Sequence, residues 1–150
     1  MGWISRKDLE LMGFASLGEN VLISDKASIY NCQCIDIGSH VRIDDFSVLS
    51  AGSGGIRFGN YIHIAVHCSV IGAGTVTFSD YSGLSSRVAI YSSNDDYSGR
   101  AMTNPMVPAE YKNVTHRPVF LGRHAIVGSG SIVLPGVTLE EGVAVGAPVL

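Results

Sequence analysis

The side chains best equipped for chemistry are one polar run, Asn94-Asp95-Asp96, and five scattered histidines. Adjacent carboxylates can hold a cationic group by charge-assisted hydrogen bonds and accept or relay its proton. His116 lies further along the same irregular stretch, where a returning chain could carry its imidazole back to the acid pair as a base. His63 and His67 stand four apart, and with His116 they are the three histidines that could be forced around one metal ion, although their spacing fits no standard site and no metal is expected. His40 and His124 share their repeat position with Tyr61 and Tyr81, which points to a stacked surface row rather than to catalysis. Cys32 and Cys34 are separated by one residue and Cys68 is alone, so neither zinc-type pairing is present. Reduced thiols are the plain reading, with Cys68 packed inside. The plain alternative for Asn94, Asp95 and Asp96 is a solvated turn, but the run YSSNDDYSG is richer in polar groups than a passive connection requires.

These residues are hung on a six-residue rhythm. A large aliphatic or Phe anchor recurs at Leu17, Ile23, Ile29; Ile37, Ile43, Leu49; Phe58, Ile64, Val70; Phe78, Leu84, Ile90; Leu121, Val127, Val133; and Leu139, Val145, usually with a small residue four places later. An even separation puts both side chains on one face of an extended strand, and three such hexads make one triangular turn of a solenoid. The coil from Leu121 to Thr138 has no excess residues. In the other complete coils the excess follows the third anchor, over Ile29–Asp36, Leu49–Arg57, Val70–Thr77 and, longest, Ile90–Phe120. One edge of the prism therefore carries every insertion, and loops gathered on one side of a solenoid are where binding chemistry usually sits. Glycines often follow an anchor, as at Gly18, Gly38, Gly59, Gly122, Gly128 and Gly146, where the expected reason is the backbone angles of a corner.

Before the first anchor the pattern changes. Ser5 with Asp8 reads as an N-cap and Gly13 as a stop, so residues 1–16 should form a short helix that covers the open end of a β-helix domain spanning 17–150, with its loop at 91–120. At the other end the last coil has two hexads and no third side, which suggests a truncated chain or an end covered by a partner. A length of 150 residues suits a single core. The net charge of −3 argues against nucleic acid or a polybasic membrane surface as partner, and no apolar run approaches a membrane span. Arg6, Lys7, Asp8 and Glu10 interrupt the first apolar stretch, so no secretory pattern opens the chain and a cytoplasmic location is expected.

The hexads, and in particular LGRHAIVGSGSIVLPGVTLEEGVAVGA from Leu121 to Ala147, resemble those of the left-handed β-helix hexapeptide acyltransferases, in the branch that holds galactoside, maltose and O-antigen sugar acetyltransferases. The segment YSSNDDYSGRAMTNP, from Tyr91 to Pro105, more narrowly resembles acyltransferases for dTDP-4-amino-4,6-dideoxyglucose. The resemblance implies an all-β fold of left-handed coils, a homotrimer with sites between subunits, and acyl transfer from acetyl-CoA to a sugar or nucleotide sugar, in surface polysaccharide synthesis such as that of O-antigen.

It also implies roles for particular residues. Sugar O-acetyltransferases of this kind place a general-base histidine at the start of the long loop. Here Asp95 stands near that position and no His lies beside it. An alcohol nearly demands a base, whereas an amine is nucleophilic once neutral, and an α-amino group titrates at roughly 7.7–8.0. An amino-sugar acceptor therefore suits Asp95, Asp96 and His116 as the catalytic candidates, with Asn94, His67, His63 and Tyr97 around the acceptor. A sugar hydroxyl is the alternative. Ser85, Gly128, Ser129 and Ala147 occupy the positions where the resemblance implies contact with the pantetheine arm of coenzyme A. Two other classes remain open: a non-catalytic assembly protein that keeps the hexads, and a carbonic anhydrase-like metalloprotein.

Overall fold

The computed structural model describes residues 1–149; Leu150, on which the expectation of a truncated end rests, lies outside them. Short parallel strands stack into three sheets that form the sides of a triangular prism. The first face comprises Ser16–Leu17, Ile35–Ile37, Ile56–Phe58, Val76–Phe78, Val119–Leu121 and Thr138–Leu139. Leu22–Ile23, Val41–Ile43, Ile62–Ile64, Gly83–Leu84, Ile126–Val127 and Ala144–Val145 make the second. The third contains Ser28–Tyr30, Val48–Ala51, Ser69–Gly72, Ala89–Tyr91 and Ile132–Val133. The fold is a parallel β-helix, as the hexads require.

The register explains why the anchors must be apolar. Ile37, Phe58, Phe78 and Leu121 are direct neighbours across the first face, and Ile43, Ile64, Leu84 and Val127 across the second. Each points inward and is almost fully buried, so like stacks on like through the prism, and the Phe58 and Phe78 rings lie 4.8 Å apart. Full burial of each such side chain contributes roughly 1.5–3 kcal/mol, most of which the ordering of the backbone offsets. Cys68 is buried among these residues, and burial pushes its thiol above the usual range, which leaves it inert.

The corner glycines act differently from the expectation. Gly18, Gly38 and Gly59 do not adopt positive φ; a Cβ on Gly18 or Gly38 would lie 2.3 or 2.2 Å from the carbonyl oxygen of the next coil. They are needed for close approach of stacked coils. The left-handed backbone falls instead two places later, on Asn20, His40, Tyr61, Tyr81 and His124, with φ between 52° and 63°. That strain turns these side chains outward into one column. The rings of His40, Tyr61, Tyr81 and His124 stack at 4.6, 5.0 and 5.0 Å, as their shared repeat position predicts.

A helix over Arg6–Leu11 covers the first coil, with the Ser5 hydroxyl accepting from the Asp8 amide and Leu9 buried. Among the described residues no helix is long and apolar enough to cross a membrane. The excess residues lie on the edge between the third face and the first, and the longest excursion leaves as an antiparallel pair, Ser93–Asn94 with Thr115–His116.

Candidate active site

A trough on the second face arises from one missing side chain. The residue before each anchor points outward, and in register these are Leu22, Arg42, His63, Gly83, Ile126 and Ala144. Gly83 leaves the row open between His63 and Ile126. The resulting cavity has a volume of about 300 Å³. His63 and Ala65 form one wall, Ile126 and Ser129 the other, and Ser85 and Ser86 lie along the floor toward the third face. Such a trough offers the hydroxyls of Ser85, Ser86 and Ser129 to a narrow, flexible ligand. Ser85 and Ser129, expected on one ligand path, are thus brought together. Gly128 and Ala147 instead abut each other at the corner, where a Cβ on Gly128 would lie 2.5 Å from the Ala147 amide nitrogen.

His63 is not a free surface histidine. Its Nε2 lies 2.8 Å from Oδ2 of Asp44, whose side chain is only 6% exposed. Arg42 closes the other side of that carboxylate, its Nε 2.7 Å from Oδ1, and its guanidinium also lies over the Trp3 ring at 5.4 Å. Burial by itself would raise the Asp44 carboxyl, but the hydrogen bonds from Arg42 and His63 outweigh it and hold the group below the ordinary carboxylate range. Sequence reasoning passed over Asp44 and Arg42. The signal was there: Asp44 is the one charged residue in the row Ser24, Asp44, Ala65, Ser85, Gly128 that follows the second-face anchors.

In the long loop, the half-buried Asp95 makes no side-chain hydrogen bond among the described residues. Asp96 is engaged within the loop itself. Its Oδ1 accepts from the Ser98 amide at 2.8 Å and its Oδ2 from Asn113 at 3.4 Å; the Ser98 side chain first, then the Ser98 amide and Asn113, hold the carboxyl below its usual range. His116 does fold back, but its recorded partner is the Ser93 hydroxyl at 2.6 Å from Nδ1, and it borders a separate open cavity with Lys112 and Asn113. Asn94 pairs with Thr115 beside it, and Tyr97 is largely exposed. His67 stacks on Phe46 at 5.1 Å, at the corner between the second and third faces. Among the described residues no three His, Cys, Asp or Glu side chains gather closely enough to hold a metal ion, so His63, His67 and His116 do not converge.

Hexad coils, a serine-lined trough beside them and an acid-bearing loop define a hexapeptide-repeat acyltransferase. The chain is 60% identical over 147 residues to dTDP-4-amino-4,6-dideoxy-D-glucose acyltransferase of Escherichia coli, a match covering 98% of this chain and 77% of that protein. It therefore belongs to the dTDP-4-amino-4,6-dideoxy-D-glucose acyltransferase family and is an acyl-CoA-dependent acyltransferase. Nodulation protein L of Rhizobium leguminosarum bv. viciae is 33% identical over 85 residues, which is 55% of this chain and 40% of that protein. Among solved structures, AntD, an N-acyltransferase from Bacillus cereus in complex with dTDP and 3-hydroxybutyryl-CoA, matches with TM-score 0.93 and 45% identity over 98% of this chain and 78% of its own. A serine-substituted form of AntD holding dTDP-4-amino-4,6-dideoxyglucose and coenzyme A matches with TM-score 0.92 and 44% identity, over 97% of this chain and 77% of its own. No protein-family model matches the chain.

Proposed function

We propose that the protein transfers an acyl group, in the first place acetyl, from coenzyme A to the amino group of dTDP-4-amino-4,6-dideoxyglucose. It does so as a cytoplasmic homotrimer, in surface polysaccharide synthesis such as that of O-antigen. The observation that carries this reading is the 60% identity, spread over nearly the whole chain, to an acyltransferase for that sugar. A finer correspondence supports the residue roles. The solved AntD variants substitute a serine and an aspartate ten positions apart, the same separation as Ser85 and Asp95 in this chain.

A thioester is already activated, so the protein has to align the acceptor, place its amine and shelter the developing oxyanion. Ser85 and Ser129 line the course of the pantetheine arm, with Gly128 and Ala147 continuing it along the corner. Asp95, with no side-chain partner among the described residues, holds the acceptor amino group by a charge-assisted hydrogen bond, flanked by Asn94 and Tyr97. Asp96 and His116 shape the loop that presents it.

The same geometry supports an assembly of several copies. The loop leaves the edge between the third and first faces, which is opposite the second face in a triangular prism. Trough and loop of one chain face apart, and a neighbouring copy completes the site. The test is release of coenzyme A by the purified protein with dTDP-4-amino-4,6-dideoxyglucose against simple glycosides, using acetyl-CoA and 3-hydroxybutyryl-CoA. Turnover confined to the amino sugar is expected, with acetyl-CoA the better donor. Equal turnover with glycosides overturns the acceptor assignment, and preference for the longer donor overturns the acyl assignment.

A further inference from the structure

The proposed reaction releases a proton from the acceptor nitrogen, and the departing sulfur must gain one. Resting on that reading, we infer that His63, oriented by the buried Asp44, is the group that takes the released proton. An ionised carboxylate can only accept hydrogen bonds. Asp44 is ionised, so the 2.8 Å contact requires the proton of His63 to sit on Nε2. The neutral imidazole then has its lone pair on Nδ1, which has no protein partner among the described residues. His63 is 54% exposed in its side chain and walls the trough that also holds Ser85 and Ser129. The arrangement is a histidine at a ligand channel with its tautomer fixed from behind by a buried acid.

The supports of Asp44 are also built in. Arg42 is held from two sides, by the carboxylate and by Trp3, so Asp44 cannot swing away from His63 without giving up its guanidinium bond. Gly83, the neighbour of His63 on the next coil, brings no side chain and no charge, and Ser85 beyond it is neutral. Arg42 and Asp44 are therefore the charged groups that face His63 from the adjoining strands.

The step balances in atoms and electrons. The amine nitrogen forms a bond to the thioester carbonyl carbon, and its proton passes to Nδ1 of His63. As the carbon–sulfur bond breaks, the electron pair leaves with sulfur, and His63 returns the proton to it as the free thiol of coenzyme A. Asp44 touches neither substrate and is a positioning residue.

The test compares wild type, His63→Ala, His63→Gln and Asp44→Asn in steady-state transfer to dTDP-4-amino-4,6-dideoxyglucose, with thermal melts as a check on folding. His63→Ala and His63→Gln are expected to lower kcat by about 100-fold, with KM for acyl-CoA within about twofold of wild type. Added imidazole should restore part of the His63→Ala rate and none of the His63→Gln rate. Asp44→Asn, nearly isosteric, is expected to lower kcat by about tenfold with both KM values kept, because the amide can present either N or O to Nε2 and so loses control of the tautomer. A His63→Ala enzyme turning over within about twofold of wild type overturns the inference, and so does a raised acyl-CoA KM with kcat unchanged, which makes His63 merely a wall. Absence of transfer in wild type strikes the parent reading instead, so the two failures are distinguishable.

Discussion

Filling the one gap in the outward row of the second face tests whether the trough receives the acyl carrier. A Cβ built on Gly83 lies 2.9 Å from the His63 carbonyl oxygen, and its three nearest neighbours all belong to the His63 backbone. That is about 0.5 Å inside ordinary van der Waals contact with a backbone atom, so two adjacent strands must part, at the ~1–3 kcal/mol typical of overpacking. For a domain of this size each kcal/mol corresponds to a fall of about 2–4 °C in Tm. Val favours a strand, which offsets part of the cost, so Gly83→Val should still fold. Its methyl groups have nowhere to go but the space between His63 and Ile126, the centre of the 300 Å³ trough. Displacing the ligand there should raise KM for acyl-CoA at least tenfold, equivalent to about 1.4 kcal/mol of binding, while KM for the amino sugar stays within about twofold. The assays are a thermal melt and steady-state kinetics with each substrate varied in turn. Normal acyl-CoA affinity in a Gly83→Val protein whose Tm has dropped by a few degrees would falsify the placement of the carrier in the trough.

Other perturbations probe the remaining parts of the account. Asp95→Asn removes the charge proposed to hold the acceptor and should raise the amino-sugar KM about tenfold or more, with acyl-CoA binding by calorimetry unchanged; equal affinity for the sugar removes Asp95 from the site. Asp44 is held below its unfolded value, so the folded state keeps the charge where the unfolded state takes up a proton. Its stabilising contribution is complete above the ordinary carboxylate pKa of 3.8 and is lost as pH falls further through the lowered native value. Urea melts across that acid range should show wild type losing more stability than Asp44→Asn; parallel curves contradict the Arg42–Asp44–His63 linkage. Tyr81 stacks between Tyr61 and His124 at φ +63°, so Tyr81→Ala should cost about 1–3 kcal/mol from two ring contacts, and Tyr81→Asn less than Tyr81→Ala because Asn tolerates the left-handed corner. Equal destabilisation by the two variants would mean that backbone strain plays no part.

Most of the architecture was legible because a β-helix repeats one local rule. Ile43, Ile64, Leu84 and Val127 had to share one inward column once the six-residue period was recognised, and the structure puts them in direct register. The helix cap at Ser5 and the stacked row from His40 to His124 were legible for the same reason, since local chemistry and repeat position determine them. The corner glycines were misread because sequence spacing says nothing of inter-coil distance, and it is the approach of Gly38 to Gly59, not φ, that excludes a side chain. The candidate site was legible only in part. Ser85 and Ser129 could be aligned from the repeat, but Asp44 meets His63 diagonally between coils, across 19 residues, and a column-by-column reading does not find diagonals. The insertion carrying Asp95 and His116 has no repeat at all, so its hairpin register, Ser93 opposite His116, could not be read from the period.

The most direct measurement is mass spectrometry of the product formed from acetyl-CoA and dTDP-4-amino-4,6-dideoxyglucose, before and after hydroxylamine treatment. The account predicts a single added acetyl group that survives hydroxylamine, as an amide does, with one equivalent of free coenzyme A released. An acetyl group removed by hydroxylamine, or no acylated sugar despite bound acyl-CoA, contradicts it.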